Sequence, residues 1–178
     1  MRKHLVRLAV AIVAMALAFL GAGQALAAPA SNPTVATTAT VTSTLTLSLN
    51  ETSFSFGSGV SGSTLTGAPS PVATVVTNDN LGYQLDAQAS VFAAPSPSTA
   101  IIDAKNLTVT PTVNGVAKTA VPLSPGSGGN SVNTAIWSQT TASAGTGDVI
   151  SQAWTLAVPA SAVPAVYSDT LTFMAVGL

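Results

Sequence analysis

The chain has 178 residues, with five basic, six acidic and one histidine side chain, and no cysteine. Without thiols it can hold no disulfide, no thiolate zinc site and no cysteine nucleophile. Charged residues make up 6% of the chain and the net charge is −1, too little positive charge to neutralise a row of phosphates, so nucleic acid is not expected as a partner.

Arg2, Lys3 and Arg7 precede the unbroken apolar run from Leu8 to Leu20, and Ala25-Leu26-Ala27 supplies a small-x-small cleavage site. That layout is a secretory signal peptide over residues 1–27, entered as a helix. The run covers about 20 Å as a helix, short of the roughly 30 Å hydrocarbon core, so no membrane span is expected after cleavage. Removing it also removes three of the five basic residues and His4, the only histidine. From Ala28 onward the chain carries Lys105 and Lys118 against Glu51, Asp79, Asp86, Asp103, Asp148 and Asp169, a net charge of −4. No His, Cys or Arg remains, so neither a Ser-His-Asp triad nor imidazole or haem ligation can be assembled. The six carboxylates stand in separate segments whose spacing pairs none of them for glycoside hydrolysis. The expectation is a non-catalytic protein without metal or cofactor.

Residues 28–40 mix Pro, Thr and Ala without a period and read as an extended leader or a loose first strand. From Val41 to Leu49 apolar residues alternate with Thr and Ser, the period of a half-buried strand, and Phe54 and Phe56 repeat it. The Gly-Ser stretch from Gly57 to Gly67 reads as a loop with a short edge strand around Leu65. Val72–Thr77, the turn residues Asn78 to Gly82, and Tyr83–Ala87 read together as a hairpin. Leu107, Val109 and Val113 lead into Asn114-Gly115, the strongest hairpin signal of the chain, with Val116–Leu123 returning. Pro111 within the first arm points to an edge strand or a bulge. Ser124–Asn130 is a loop, and Ile136-Trp137 begins a further strand. Ile150, Gln152, Trp154, Leu156 and Val158 share one face of the next, and Tyr167, Asp169, Leu171, Phe173 and Ala175 share one face of the last.

No helical period of useful length follows the signal peptide. The expected fold is all-β: an immunoglobulin-like antiparallel β-sandwich of about eight strands over residues 41–178. A disordered, glycosylated Ser/Thr-rich stalk is the competing reading, and scarce charge together with apolar residues at strand spacing argues against it.

Three stretches carry a family resemblance. Thr77-Asn78-Asp79-Asn80-Leu81-Gly82-Tyr83-Gln84-Leu85, Trp154-Thr155-Leu156 and Tyr167-Ser168-Asp169-Thr170-Leu171-Thr172-Phe173 are similar to the Gly-Tyr turn, the W-x-L tripeptide and the closing strand of WxL-domain proteins. These and related exported immunoglobulin-like proteins sit on Gram-positive envelopes. The resemblance implies noncovalent association with a cell-wall polymer or with other surface proteins, carried through Trp154 and Leu156.

Read from the residues alone, Trp154 is first of all a core tryptophan between sheets, while Trp137, beside a polar Ser-Gln-Thr-Thr run, has the better prospect of meeting a glycan. Asn78-Asp79-Asn80 could offer oxygen ligands to calcium, but Asn and Asp are also what a tight turn demands. Lys105 or Lys118 could condense with an Asn, assisted by Glu51 or an Asp, into the isopeptide crosslink that some Gram-positive surface sandwiches use. The leading functional expectation is a secreted structural or adhesion protein of the cell surface. Two alternatives are a pilus- or fibre-like subunit that adds its Thr-rich arm, Val35–Leu49, to the sheet of another copy, and a carbohydrate-binding module using Trp137.

Overall fold

The computed structural model describes residues 38–95 and 99–178; the signal peptide expected over residues 1–27 and the leader residues 28–37 lie outside them. The period-two segments become strands in chain order: β1 (Leu45–Leu49), β2 (Thr64–Thr66), β3 (Val72–Thr77), β4 (Tyr83–Ala89), β5 (Phe92–Ala93), β6 (Ile101–Ile102), β7 (Leu107–Val113), β8 (Val116–Ala117), β9 (Val121–Pro122), β10 (Thr134–Gln139), β11 (Asp148–Ala157) and β12 (Leu171–Gly177). Every pairing between them is antiparallel. The larger sheet runs β1-β3-β11-β7-β8, with β2 also on β11 and β9 also on β7. The smaller runs β10-β4-β12, and β5 and β6 form a separate ribbon.

The two sheets face each other as a sandwich. Inward side chains from the larger sheet (Val75, Leu107, Val109, Ile150, Trp154) and from the smaller (Tyr83, Leu85, Ile136) form one buried core. The seven strands of five residues or more divide four and three between the sheets, as in an immunoglobulin constant domain. Their order is different: the central strand of the smaller sheet is β4, and β11 stands between β3 and β7. The architecture is therefore an all-β antiparallel sandwich whose strand order departs from the immunoglobulin one expected. Among the described residues no helix is long and apolar enough to cross a membrane.

Three readings of local sequence change. Val72–Thr77 and Tyr83–Ala87 form no hairpin with each other, because β3 pairs with β1 and β11 while β4 pairs with β10 and β12. The Asn78–Gly82 turn instead carries the chain from one sheet to the other. Gly82 has φ +91°, and a Cβ there would run into the Gln139 carbonyl, so close approach of the two segments requires glycine. The first strand begins at Leu45, with residues 38–44 exposed and outside any strand. Tyr167 and Asp169 likewise precede β12.

Pro111 lies inside the larger sheet, fully buried in β7 between β11 and the β8–β9 side. Its carbonyl accepts the Lys118 N–H at 2.8 Å, so its nitrogen also faces that side. There the neighbouring strand is broken between Ala117 and Val121, and the missing donor leaves no ladder bond unmade. The Asn114-Gly115 hairpin is present as read, with φ 48° and 83° at its two turn residues, the left-handed pair of a type I′ turn.

Candidate functional site

Trp154 stands at the centre of the core, fully buried on the inward face of β11. It stacks on Phe54 at 6.4 Å between ring centroids and meets Phe173 edge to face at 6.2 Å. Its indole N–H donates to Gln152 Oε1 at 3.2 Å. Removing a side chain of this size from water contributes roughly 5 kcal/mol, so its role is to hold the sheets together. Leu156, two residues on, is 4% exposed on the same face. Neither side chain of the W-x-L tripeptide reaches the surface, which corrects the expectation that they contact the envelope.

Trp137 is placed differently. β10 bulges between Ala135 and Trp137, so that Ile136 is buried and Trp137 comes opposite Leu85 at the side of the sandwich where β10 faces the β8–β9 segment. The ring is half-buried, and the Lys118 ammonium lies 4.9 Å above its centroid, a cation–π contact. Around the pair is an open groove of about 650 Å³ lined also by Ala117, Thr119, Val121, Ala135 and Ser138. Lys118 is the one titratable side chain in that lining. The groove can stack, donate hydrogen bonds and attract negative charge, and its lining offers no carboxylate for proton transfer. The indole N–H points inward, buried and without a hydrogen-bond acceptor.

Beside the groove lies a polar cluster that no local pattern of residues announces. The Tyr83 hydroxyl donates to Asp148 Oδ2 at 2.9 Å, Asn114 Nδ2 donates to Asp148 Oδ1 at 3.0 Å, and the Ala144 N–H reaches Oδ1 at 3.4 Å. Burial, reinforced by the hydrogen bond to Asp148 and its negative charge, pushes the Tyr83 phenol far above its ordinary value. Asp148 is 2% exposed and ties together β4, the β7–β8 turn and the loop before β11. Residues from four segments meet here, which no single spacing in the chain announces.

The remaining candidates are committed to structure. Asn78 Oδ1 accepts the Thr44 N–H at 2.7 Å and its Nδ2 donates to the Thr42 carbonyl at 2.8 Å. Asp79 accepts from the Leu81 N–H and from the Ser43 hydroxyl. These are turn-building and strand-extending bonds, and among the described residues no group of three or more acidic, His or Cys side chains gathers for a metal. Lys105 pairs with Asp103 at 2.9 Å on the surface, and Lys118 rests on Trp137. Neither ammonium group meets an asparagine among the described residues.

One feature of the surface concerns a whole face. Outward positions of the larger sheet are Thr46 and Ser48 on β1, Val72, Thr74 and Val76 on β3, Val149, Ser151, Ala153 and Thr155 on β11, and Thr108, Thr110 and Thr112 on β7. Register aligns them in rows across the strands: Ser48, Thr74 and Val149; then Val72, Ser151 and Thr112; then Thr66, Thr155 and Thr108. The result is a grid of hydroxyl and small apolar groups about 4.8 Å apart across strands and roughly 7 Å along them. Asp148 is the only charged residue in any strand of this sheet, and it faces the core.

No protein-family model matches the chain, and no curated protein or solved structure shows significant similarity to it.

Proposed function

We propose that the protein is an exported, non-catalytic structural or adhesion component of the cell envelope, held noncovalently by a cell-wall polymer or by other surface proteins. The observation that carries this reading is the charge-free hydroxyl face of the larger sheet. A polyhydroxylated polymer or a second flat protein face can lie against such a grid and exchange water for many weak hydrogen bonds without stripping water from an ion. In the WxL-like modules that the chain resembles, wall contact would fall to Trp154 and Leu156. With both buried, contact falls to the face and to the groove at Trp137.

The test is retention of the exported protein on isolated cell envelopes. Val149→Glu with Ala153→Glu places two charges on exposed positions of the face and leaves the core untouched. Retention should be lost while the near-ultraviolet circular dichroism stays that of the parent. Equal retention of parent and variant, or a folded parent that cleaves wall glycans or peptides, would refute the reading.

A carbohydrate-binding module is the second reading, favoured by the half-buried Trp137 with the Thr119 and Ser138 hydroxyls beside it. It requires a glycan-array signal that disappears in a folded Trp137→Ala variant, and an array without signal removes it.

A further inference from the structure

The sandwich has two open sides, and they are defended unequally. On one, the edge strand β10 is bulged at Ile136 and the Lys118 ammonium sits over Trp137. A bulge and a lysine are the devices by which proteins keep a strand edge from pairing with another chain. On the other side β12 ends the smaller sheet and β1 ends the larger, and no further strand pairs with either among the described residues.

β12 has none of those defences. Its seven residues, Leu-Thr-Phe-Met-Ala-Val-Gly, include no charge, no proline and no bulge against β4. The Thr170 backbone bonds toward β4 through both its carbonyl and its N–H, and the Leu178 N–H bonds to the Gly82 carbonyl. By strand alternation, the N–H and C=O groups of 171, 173, 175 and 177 face the open side. The inward side chains along this seam, Leu45, Leu47, Leu171, Phe173 and Ala175, are only partly buried.

A candidate occupant precedes β1 in the same chain. Val35–Val41 holds only Val, Ala and Thr, without charge or proline, and its seven residues match the seven of β12, or about 23 Å of strand. Val41 is 84% exposed. The residues between this segment and β1 do not favour a tight turn. Asn78 continues the β1–β3 ladder past Leu45 by binding the Thr44 N–H and the Thr42 carbonyl. Moreover, Thr42-Ser43-Thr44 contains no Gly, Asn, Asp or Pro with which to make a tight turn.

We propose that the β12 edge accepts residues 35–41 of a second copy as an added strand, continuing the smaller sheet and covering the seam to β1. Donor segment and acceptor edge are different surfaces, so the contact is heterologous and repeats head to tail into an open polymer. This inference rests on the structural reading above and specifies how the component assembles. Its test omits envelopes, so the two can fail separately.

The exported protein is followed by sedimentation and negative-stain electron microscopy over a range of concentrations. The parent should form concentration-dependent linear polymers. Ala175→Pro removes a donor from the open edge and leaves the β4 ladder intact, and it should abolish them. Ala39→Asp with Val41→Asp alters only the donor and should abolish them too. Mixing the two variants should restore one contact and give capped dimers, because the first retains a donor and the second an acceptor. The arm variant carries the test alone should Ala175→Pro fail to fold. Parent monomers at every concentration, or polymers that survive in the arm variant, overturn the proposal. Monomers that are still retained on envelopes would overturn it while leaving the proposed function standing.

Discussion

Replacing Tyr83 by Phe removes one oxygen from a site with no solvent contact, and its cost can be worked from the geometry. The phenol is fully buried and donates to a carboxyl group that is itself 2% exposed, at 2.9 Å. A hydrogen bond to a charged group contributes about 1.5–3 kcal/mol, and its loss leaves Asp148 with the longer bonds from Asn114 and Ala144. We therefore expect a loss of about 2 kcal/mol in chemical denaturation, or roughly 4–8 °C in Tm for a domain of this size. Tyr167 supplies the internal control, because its hydroxyl donates to the Val163 carbonyl at a half-exposed position. Tyr167→Phe should cost no more than about 1 kcal/mol, the neutral-bond value. The pH dependence adds a second readout. The folded pKa of Tyr83 lies above its ordinary value of 10.0, so the stability from this proton is complete below that pH and is lost as pH rises toward the folded pKa. The parent should weaken above about pH 10, and Tyr83→Phe should flatten that decline. Equal effects of the two Tyr→Phe substitutions, with the alkaline decline unchanged, would show that the buried cluster does not stabilise the fold.

Other substitutions probe the same physics elsewhere. Gln152 is fully buried; its Nε2 has no hydrogen-bond acceptor while its Oε1 serves Trp154. Gln152→Met exchanges one orphaned donor for another, and thermal denaturation should move by less than about 1 kcal/mol, small for a polar-to-apolar change at the centre of a core. Asp169 is raised to about 6, chiefly by burial, so its carboxylate is the form the fold disfavours. Stability should rise as pH falls from above 6 toward 4, and Asp169→Asn should remove that slope and stabilise the protein at pH 8. The shift sets a ceiling of about 3 kcal/mol, and partial solvent contact brings the expected gain to about 1–2. Gly115→Ala, at φ +83° with open space around it, should cost about 1 kcal/mol. Gly82→Ala should cost several times more, because strain and a backbone collision coincide. Comparable denaturation midpoints for the two glycine variants would contradict the crowded β3–β4 crossing.

What could be read in advance was whatever depends on neighbours along the chain. Val72–Thr77, the Asn114-Gly115 turn and the buried face of Ile150, Gln152, Trp154 and Leu156 all follow from local alternation and turn chemistry, and each is in place. Asn78 to Gly82 shows the boundary of that logic. The residues specify that the chain reverses and say nothing about which layer receives it, so a hairpin and a crossing between sheets look alike until the partners of β3 and β4 are known. Asp148 marks the same boundary for chemistry. Nothing next to Asp148 in the chain announces its burial, because two of its three donors, Tyr83 and Asn114, are distant in sequence and only Ala144 is local.

The two tryptophans carry the point into function. Local sequence already separates them, since Trp154 shares an alternating apolar face with Ile150 and Leu156 while Trp137 precedes a polar Ser-Gln-Thr-Thr run, and sheet position supplies the reason. Trp154 belongs to a ten-residue strand with neighbours on both sides, so every inward position is covered and an aromatic there becomes the hub of the core. Trp137 belongs to an edge strand with a bulge one residue earlier, so its ring faces the same interior from the rim, where Lys118 covers it from outside. Exposure is thus set by sheet position rather than by residue type. The same rule separates the edges: β10 carries a bulge and is covered by Lys118 from the β8–β9 segment, while β12, equally long to within one residue, has neither. If chance alone had distributed those defences, substituting Lys118 by Ala should leave the oligomeric state of the protein untouched. If they are what confines pairing to one side, Lys118→Ala should add a second mode of association through β10, visible as branched rather than linear assemblies.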